Sequence, residues 1–207
     1  TPKVVLFFCS GGESVAVFLN RYRPMIGFTI GSGLGKSYSA CAASNEDVTT
    51  SNCARILAKD ASTTGYPITF INGGGTIVAQ AEFTSFDSDG FTLNWTTNNT
   101  QTFQIHYLAL GGADLTNVAV TDWSMPTSVG TKAVTGIGFV PDCLLHAHVG
   151  NFTTADAFNT VKDDAFLGIG VATRGLEQWA LGVNSQDNKA TSDTQRVQLT
   201  DAALTST

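Results

Sequence analysis

Apolar and polar residues alternate in short runs along most of this chain, and glycine-, asparagine- and aspartate-rich turns separate the runs. Side chains two apart share one face of a strand, so the pattern predicts half-buried strands and not helices. Strands are expected over residues 4–9, 26–30, 37–42, 53–58, 68–71, 76–85, 91–96, 102–110, 119–123, 143–149, 166–171, 178–183 and 195–199. Turns are expected at Gly11-Gly12, Gly73-Gly74-Gly75, Ser88-Asp89-Gly90, Asn98-Asn99, Gly111-Gly112 and Asp187-Asn188, where glycine and Asx residues supply tight backbone geometry. Many short, closely spaced strands predict an all-β fold: an antiparallel β-sandwich, jelly-roll-like, with at most short helices. The candidates for those helices are residues 13–22 and 154–161.

The apolar pattern also repeats. Met25-Ile26-Gly27-Phe28-Thr29-Ile30 matches Phe166-Leu167-Gly168-Ile169-Gly170-Val171, and Thr50-Ser51-Asn52-Cys53-Ala54-Arg55-Ile56 matches Thr191-Ser192-Asp193-Thr194-Gln195-Arg196-Val197. Both hold at one spacing, 196 − 55 = 141, which also pairs Tyr38 with Trp179 and Asp60 with Asp201. Upstream, Pro2 and the apolar run after it pair with Pro141 and Cys143-Leu144-Leu145 at a spacing of 141 − 2 = 139, which places a two-residue insertion in the loop between. The expected organisation is a first β-sandwich unit over residues 1–112, lacking its lead-in strand, then connecting strands and a second, incomplete copy over 113–207. Either the chain is part of a longer one, or the two partial copies complete one fold together.

Charged residues are only 14% against 43% hydrophobic, so Thr, Ser, Asn and Gly must furnish the polar surface. Such a surface packs against other protein at little desolvation cost. A formal net charge of −6 with scattered Lys and Arg disfavours nucleic acid as a partner. No apolar run is long enough for a membrane helix, and the run at residues 4–9 is strand-length without a signal-peptide cleavage pattern. Cys9, Cys41, Cys53 and Cys143 form no CxxC pair, and are read as four buried thiols rather than as zinc ligands or two disulfides.

Several patterns resemble sites and are weighed against plainer readings. Gly31-Ser32-Gly33-Leu34-Gly35-Lys36-Ser37 is one residue short of a phosphate-binding loop and is read as a glycine-rich hairpin turn. His146 and His148 share a strand face and would give two metal ligands, but their counterparts in the first copy are Phe7 and Cys9, so packing is the expected role. Asp87-Ser88-Asp89-Gly90 has half a calcium loop, with Asn98 where the closing Glu belongs; an Asp-Gly hairpin of type I′ geometry is expected instead. Trp95, Tyr107, Trp123 and Trp179 are candidates for a sugar-stacking platform, or else core residues. Nothing nominates a nucleophile or a carboxylate pair of the kind glycosidases use, so no catalytic, cofactor or metal residue is assigned and the chain is read as not an enzyme. Sequons stand at Asn94, Asn98 and Asn151.

Two phrases carry a resemblance: Ser85-Phe86-Asp87-Ser88-Asp89-Gly90-Phe91-Thr92-Leu93-Asn94-Trp95 followed by Ile105-His106-Tyr107-Leu108-Ala109-Leu110-Gly111-Gly112, and Val134-Thr135-Gly136-Ile137-Gly138-Phe139-Val140-Pro141. Together they resemble repeats in structural proteins of tailed bacteriophages. The resemblance implies a virion component, a head decoration or tail protein, whose partners are copies of itself and other virion proteins. It implies no active-site residues. The alternative is a carbohydrate-binding or host-adhesion module on the same scaffold.

Overall fold

Strand β4 (Ser37–Asn45) explains the architecture, because all but its last residue is buried and its sequence, Ser-Tyr-Ser-Ala-Cys-Ala-Ala-Ser-Asn, does not alternate in polarity. A strand reads this way when both faces of its sheet are covered. Cys41 and Ala43 face one apolar core, Ala40 and Ala42 the other. The small side chains let two further layers approach closely.

The computed structural model describes residues 1–11, 21–32, 35–45, 49–59, 65–98, 100, 102–150, 158–191 and 193–204. They form an all-β molecule of three antiparallel sheets. The central sheet has the order β11-β5-β4-β3-β1-β9, with β2 (Arg21–Tyr22) also paired to β4. Its strands are β1 (Pro2–Cys9), β3 (Met25–Thr29), β5 (Asn52–Lys59), β9 (His106–Gly111) and β11 (Lys162–Asp163). On one face lies a three-stranded sheet of β6 (Ile68–Ile71), β7 (Ile77–Phe86) and β8 (Phe91–Asn98). On the other lies a four-stranded sheet of β10 (Cys143–His148), β12 (Ala165–Thr173), β13 (Gln178–Ser185) and β14 (Thr194–Leu199), in that order.

The first core gathers Val5, Phe7, Met25, Cys41 and Ile56 against Ile68, Phe70, Ile71 and Val78. Aromatic pairs fill it: Phe70 stacks on Phe103 at 4.4 Å, and Phe7 meets Phe91 edge-on at 5.4 Å. The second core sets Ile26, Ala40, Ala42 and Cys53 against Val149, Ala165 and Leu167. Three buried hydroxyls on β3 and β4 are paired: Thr29 with Ser37 at 2.7 Å, and Ser39 donating to the Tyr66 carbonyl at 2.8 Å.

The repeat seen in the sequence is present in the ladders. The row Phe7, Gly27, Ser39, Ala58 crosses β1, β3, β4 and β5. The row His146, Gly170, Ala180, Leu199 crosses β10, β12, β13 and β14 in the same order. The spacings are 139 for β1/β10, 170 − 27 = 143 for β3/β12, and 141 for the last two pairs. The sequence match of Gly27 with Gly168 is therefore shifted by two residues, a slip that preserves the face. The two four-strand units meet through equivalent faces, since Ile26 and Ala42 correspond to Ile169 and Val183 and all four belong to the second core.

Some expectations change. Residues 119–123 form no strand; residues 112–142 pass from β9 to β10 without ladder pairing. That passage is held by side chains instead: Tyr38 donates to Asp122 at 2.9 Å, Lys59 lies 3.6 Å from the same carboxylate, and Trp123 meets His146 edge-on. Of the two helix candidates, residues 12–20 and 151–157 lie outside the described residues. The described remainder is β2 in one case and a turn with its following residues in the other. The antiparallel all-β expectation is met; within each four-strand unit, β1-β3-β4-β5 and β10-β12-β13-β14, neighbours follow chain order apart from the two-residue strands β2 and β11, which pair elsewhere.

Candidate functional site

Two sheet edges expose apolar, uncharged strands. β9 closes one side of the central sheet with His-Tyr-Leu-Ala-Leu-Gly, and every residue of it is exposed. Tyr107 is 61% exposed, and Leu108 and Leu110 stand out beside it. β10 closes one side of the outer four-stranded sheet with Cys-Leu-Leu-His-Ala-His, and Cys143, Leu144 and Leu145 are exposed. Soluble proteins blunt such edges with Lys, Pro, bulges or covering loops. Neither strand contains Pro, Lys, Asp or Glu, and the β10–β12 register runs without a shift.

A second exposed feature lies at the β12–β13 turn. An open depression of about 560 Å³ is lined by Val171, Thr173, Leu176, Glu177, Trp179 and Asp201, among others. Trp179 is 45% exposed there, and Gln178 donates to the Asp201 carbonyl at 2.7 Å beside it. Of the other sugar-platform candidates, Trp95 is 43% exposed on β8, Trp123 is half-buried, and Tyr107 packs edge-on against Phe91. The structure does not bring these four aromatics into one platform: Trp95, Tyr107 and Trp179 stand on three different sheets.

The remaining sequence candidates resolve into structure. The glycine-rich segment joins β3 to β4 as a hairpin, with the Ile30 amide donating to the Lys36 carbonyl at 2.9 Å; Gly33 and Leu34 lie outside the described residues. Asp87 closes the β7–β8 hairpin by accepting from Ser85 and Thr92, both at 2.8 Å. The type I′ expectation fails, because none of Ser88, Asp89 and Gly90 takes the positive φ that turn requires. A four-residue connection needs no such geometry, and the Asp87 carboxylate ties the two strands together instead.

His146 and His148 share a face as expected. Their imidazoles are drawn towards the neutral form, His146 by burial and His148 by burial and then by His146. His148 packs on Phe166 at 5.1 Å, and its Nε2 is buried with no hydrogen-bond partner. Among the described residues no three His, Cys, Asp or Glu side chains gather as a metal-binding set. Four thiols are free, but only Cys9, Cys41 and Cys53 are buried; Cys143 is exposed, a correction to the sequence reading. The cause is its place on β10, whose equivalent in the first unit, β1, is covered by β9. Among the described residues no helix is long and apolar enough to cross a membrane.

No protein-family model, curated protein or solved structure matches this chain.

Proposed function

We propose that this chain is a structural component of a bacteriophage particle, a head decoration or tail protein that works through contacts with copies of itself and with other particle proteins. The observation that carries this reading is the pair of exposed, uncharged apolar edges, β9 and β10. Left bare, such edges recruit other strands indiscriminately; in a particle they are satisfied by neighbours. The low overall charge suits burial of much of the surface. The likeness of the Ser85–Trp95 and Val134–Pro141 phrases to phage repeats supports the setting. On this reading the chain is made in the host cytoplasm, resides in the virion and has no catalytic centre.

The test is the native mass of the purified chain over a wide concentration range, with peptide mass spectrometry of purified particles. A multimer whose peptides are found in particles is expected. A chain monomeric throughout and absent from particles overturns the reading.

One observation favours a second reading, a glycan-binding or host-adhesion module. Trp179 is half-exposed beside Glu177, Gln178 and Asp201, the pairing of a stacking face with hydrogen-bonding groups that sugars require. A glycan array probed with wild type and Trp179→Ala tests it; binding lost in the variant supports the module, and no binding by wild type removes it.

A further inference from the structure

We infer that β10 accepts the β9 strand of a second copy of this chain, so that copies join head to tail through a continuous sheet. The inference deepens the assembly reading above and rests on it.

The internal repeat supplies the template. In the first unit β1 is the end strand of the equivalent meander, and its outer edge is occupied by β9, antiparallel, with Leu108 opposite Leu6 and Tyr107 opposite Phe7. The row equivalence places Leu145 and His146 of β10 where Leu6 and Phe7 stand in β1. Among the described residues β10 pairs only with β12, so the edge that β9 fills in one unit is open in the other. A β9 strand therefore has the sequence that satisfies this kind of edge, and among the described residues nothing pairs with its own outer edge.

Side chains agree with the pairing. Leu108 and Leu110 lie on the face shared by Leu6 and Val4, and Leu145 lies on the equivalent face of the second unit. Joining β9 to the next copy's β10 keeps these apolar faces in phase, with Tyr107 alongside Leu144 and His146 on the other side. Neither strand brings an Asp, Glu, Lys or Arg side chain to be desolvated. Pairing β9 with β9, or β10 with β10, would cover one kind of edge and leave the other exposed. The heterotypic contact covers both at once. One donor edge and one acceptor edge per chain define a heterologous contact, which closes into a ring or extends as a filament.

The test uses two full-length variants, Leu108→Asp on β9 and Leu145→Asp on β10, in sedimentation with wild type. Both positions are substantially exposed, so the fold is expected to be retained. Each variant alone is expected to be monomeric. An equimolar mixture is expected to form a dimer and nothing larger, because one free β9 then meets one free β10. A variant that still dimerises alone overturns the heterotypic pairing, and variants that assemble like wild type overturn the edge contact while the assembly reading stands. A wild type that is monomeric at all concentrations overturns both. Should either substitution unfold the chain, hydrogen exchange on wild type decides: residues 106–111 and 143–148 are both expected to gain protection on assembly, and protection of one alone overturns the proposal.

Discussion

Gly27 and Gly170 occupy the same place in the two repeated units, and each lies beneath a crossing backbone. A Cβ on Gly27 would sit 1.7 Å from the carbonyl oxygen of Pro67, and a Cβ on Gly170 would sit 1.7 Å from that of Ala203. In both units the crossing residue follows the fourth strand in sequence, Pro67 after β5 and Ala203 after β14. Only a residue without Cβ permits that approach. Gly27→Ala and Gly170→Ala are each expected to destabilise the fold by about 1–3 kcal/mol, the usual cost of forcing extra volume into a packed site. Gly90→Ala, where an added Cβ meets nothing within 4 Å and φ is not positive, is expected within about 0.5 kcal/mol of wild type. Urea unfolding midpoints of the three variants check this, and a silent Gly27→Ala would contradict the crossing.

The two units are also stitched at one hairpin. Asp187, in the β13–β14 connection, accepts from the Cys53 amide at 2.7 Å, and the Ser51 hydroxyl donates to the Gln186 carbonyl at 2.7 Å. The Asn188 amide donates to the Ser51 carbonyl at 2.9 Å. Asp187→Ala strands a part-buried amide, at a cost of about 1–3 kcal/mol. Faster hydrogen exchange is expected across β13, β14 and the start of β5, with the β6–β8 sheet unchanged. Uniform acceleration over all three sheets would show that the hairpin does not act locally.

The sequence made the strands legible because half-buried strands alternate, and β7 and β5 follow the expected limits within a residue or two. It failed where both faces are buried. β4 runs on through Ala43, Ser44 and Asn45, which carry no alternation to read. The repeat was legible from Tyr38/Trp179 and Arg55/Arg196, side chains distinctive enough to fix a spacing. The β3 register was not. Leu167-Gly168-Ile169-Gly170-Val171 offers two glycines each flanked by aliphatic residues, and the fold separates them: a backbone carbonyl crosses Gly170, and the His148 ring lies over Gly168. The exposed edges were invisible for a related reason. Leu144, Leu145, Leu108 and Leu110 lie on apolar strands like those of the core, and their exposure depends on which strands lack neighbours.

Thiol accessibility follows directly from the layers. Cys41 is fully buried between sheets, and burial pushes its thiol up to about 12, so the reactive thiolate is suppressed at neutral pH. Cys9 is raised by burial as well, and Cys53 is buried between Ser44 and Ser185. Cys143 alone of the four is exposed. A disulfide reagent such as dithionitrobenzoate is therefore expected to label Cys143 in the native chain, and the other three only after denaturation. Labelling of Cys41 at the rate of Cys143 would mean that the central sheet opens far more readily than its burial implies.

The acid limb of stability is expected to run through His148. Burial and the neighbouring His146 hold its pKa below the ordinary value of 6.5, and its Nε2 is enclosed without an acceptor for a proton. The folded state therefore binds a proton less readily than the unfolded chain. The unfolded chain takes up more protons as pH falls through about 6.5, so the contribution of neutral His148 to stability is intact above that value. It is lost progressively as pH drops towards the depressed folded-state value, and no further below it. His146 shifts in the same direction and adds to the slope. His148→Gln abolishes this titration, because the amide stays neutral. Its stability at neutral pH is expected to be somewhat lower than that of wild type, since the replacement does not fill the space against Phe166. Its decline between about pH 7 and pH 5 is expected to be shallower. Urea midpoints of wild type and His148→Gln across that interval measure the difference, and parallel curves would show that the acid limb belongs to other groups.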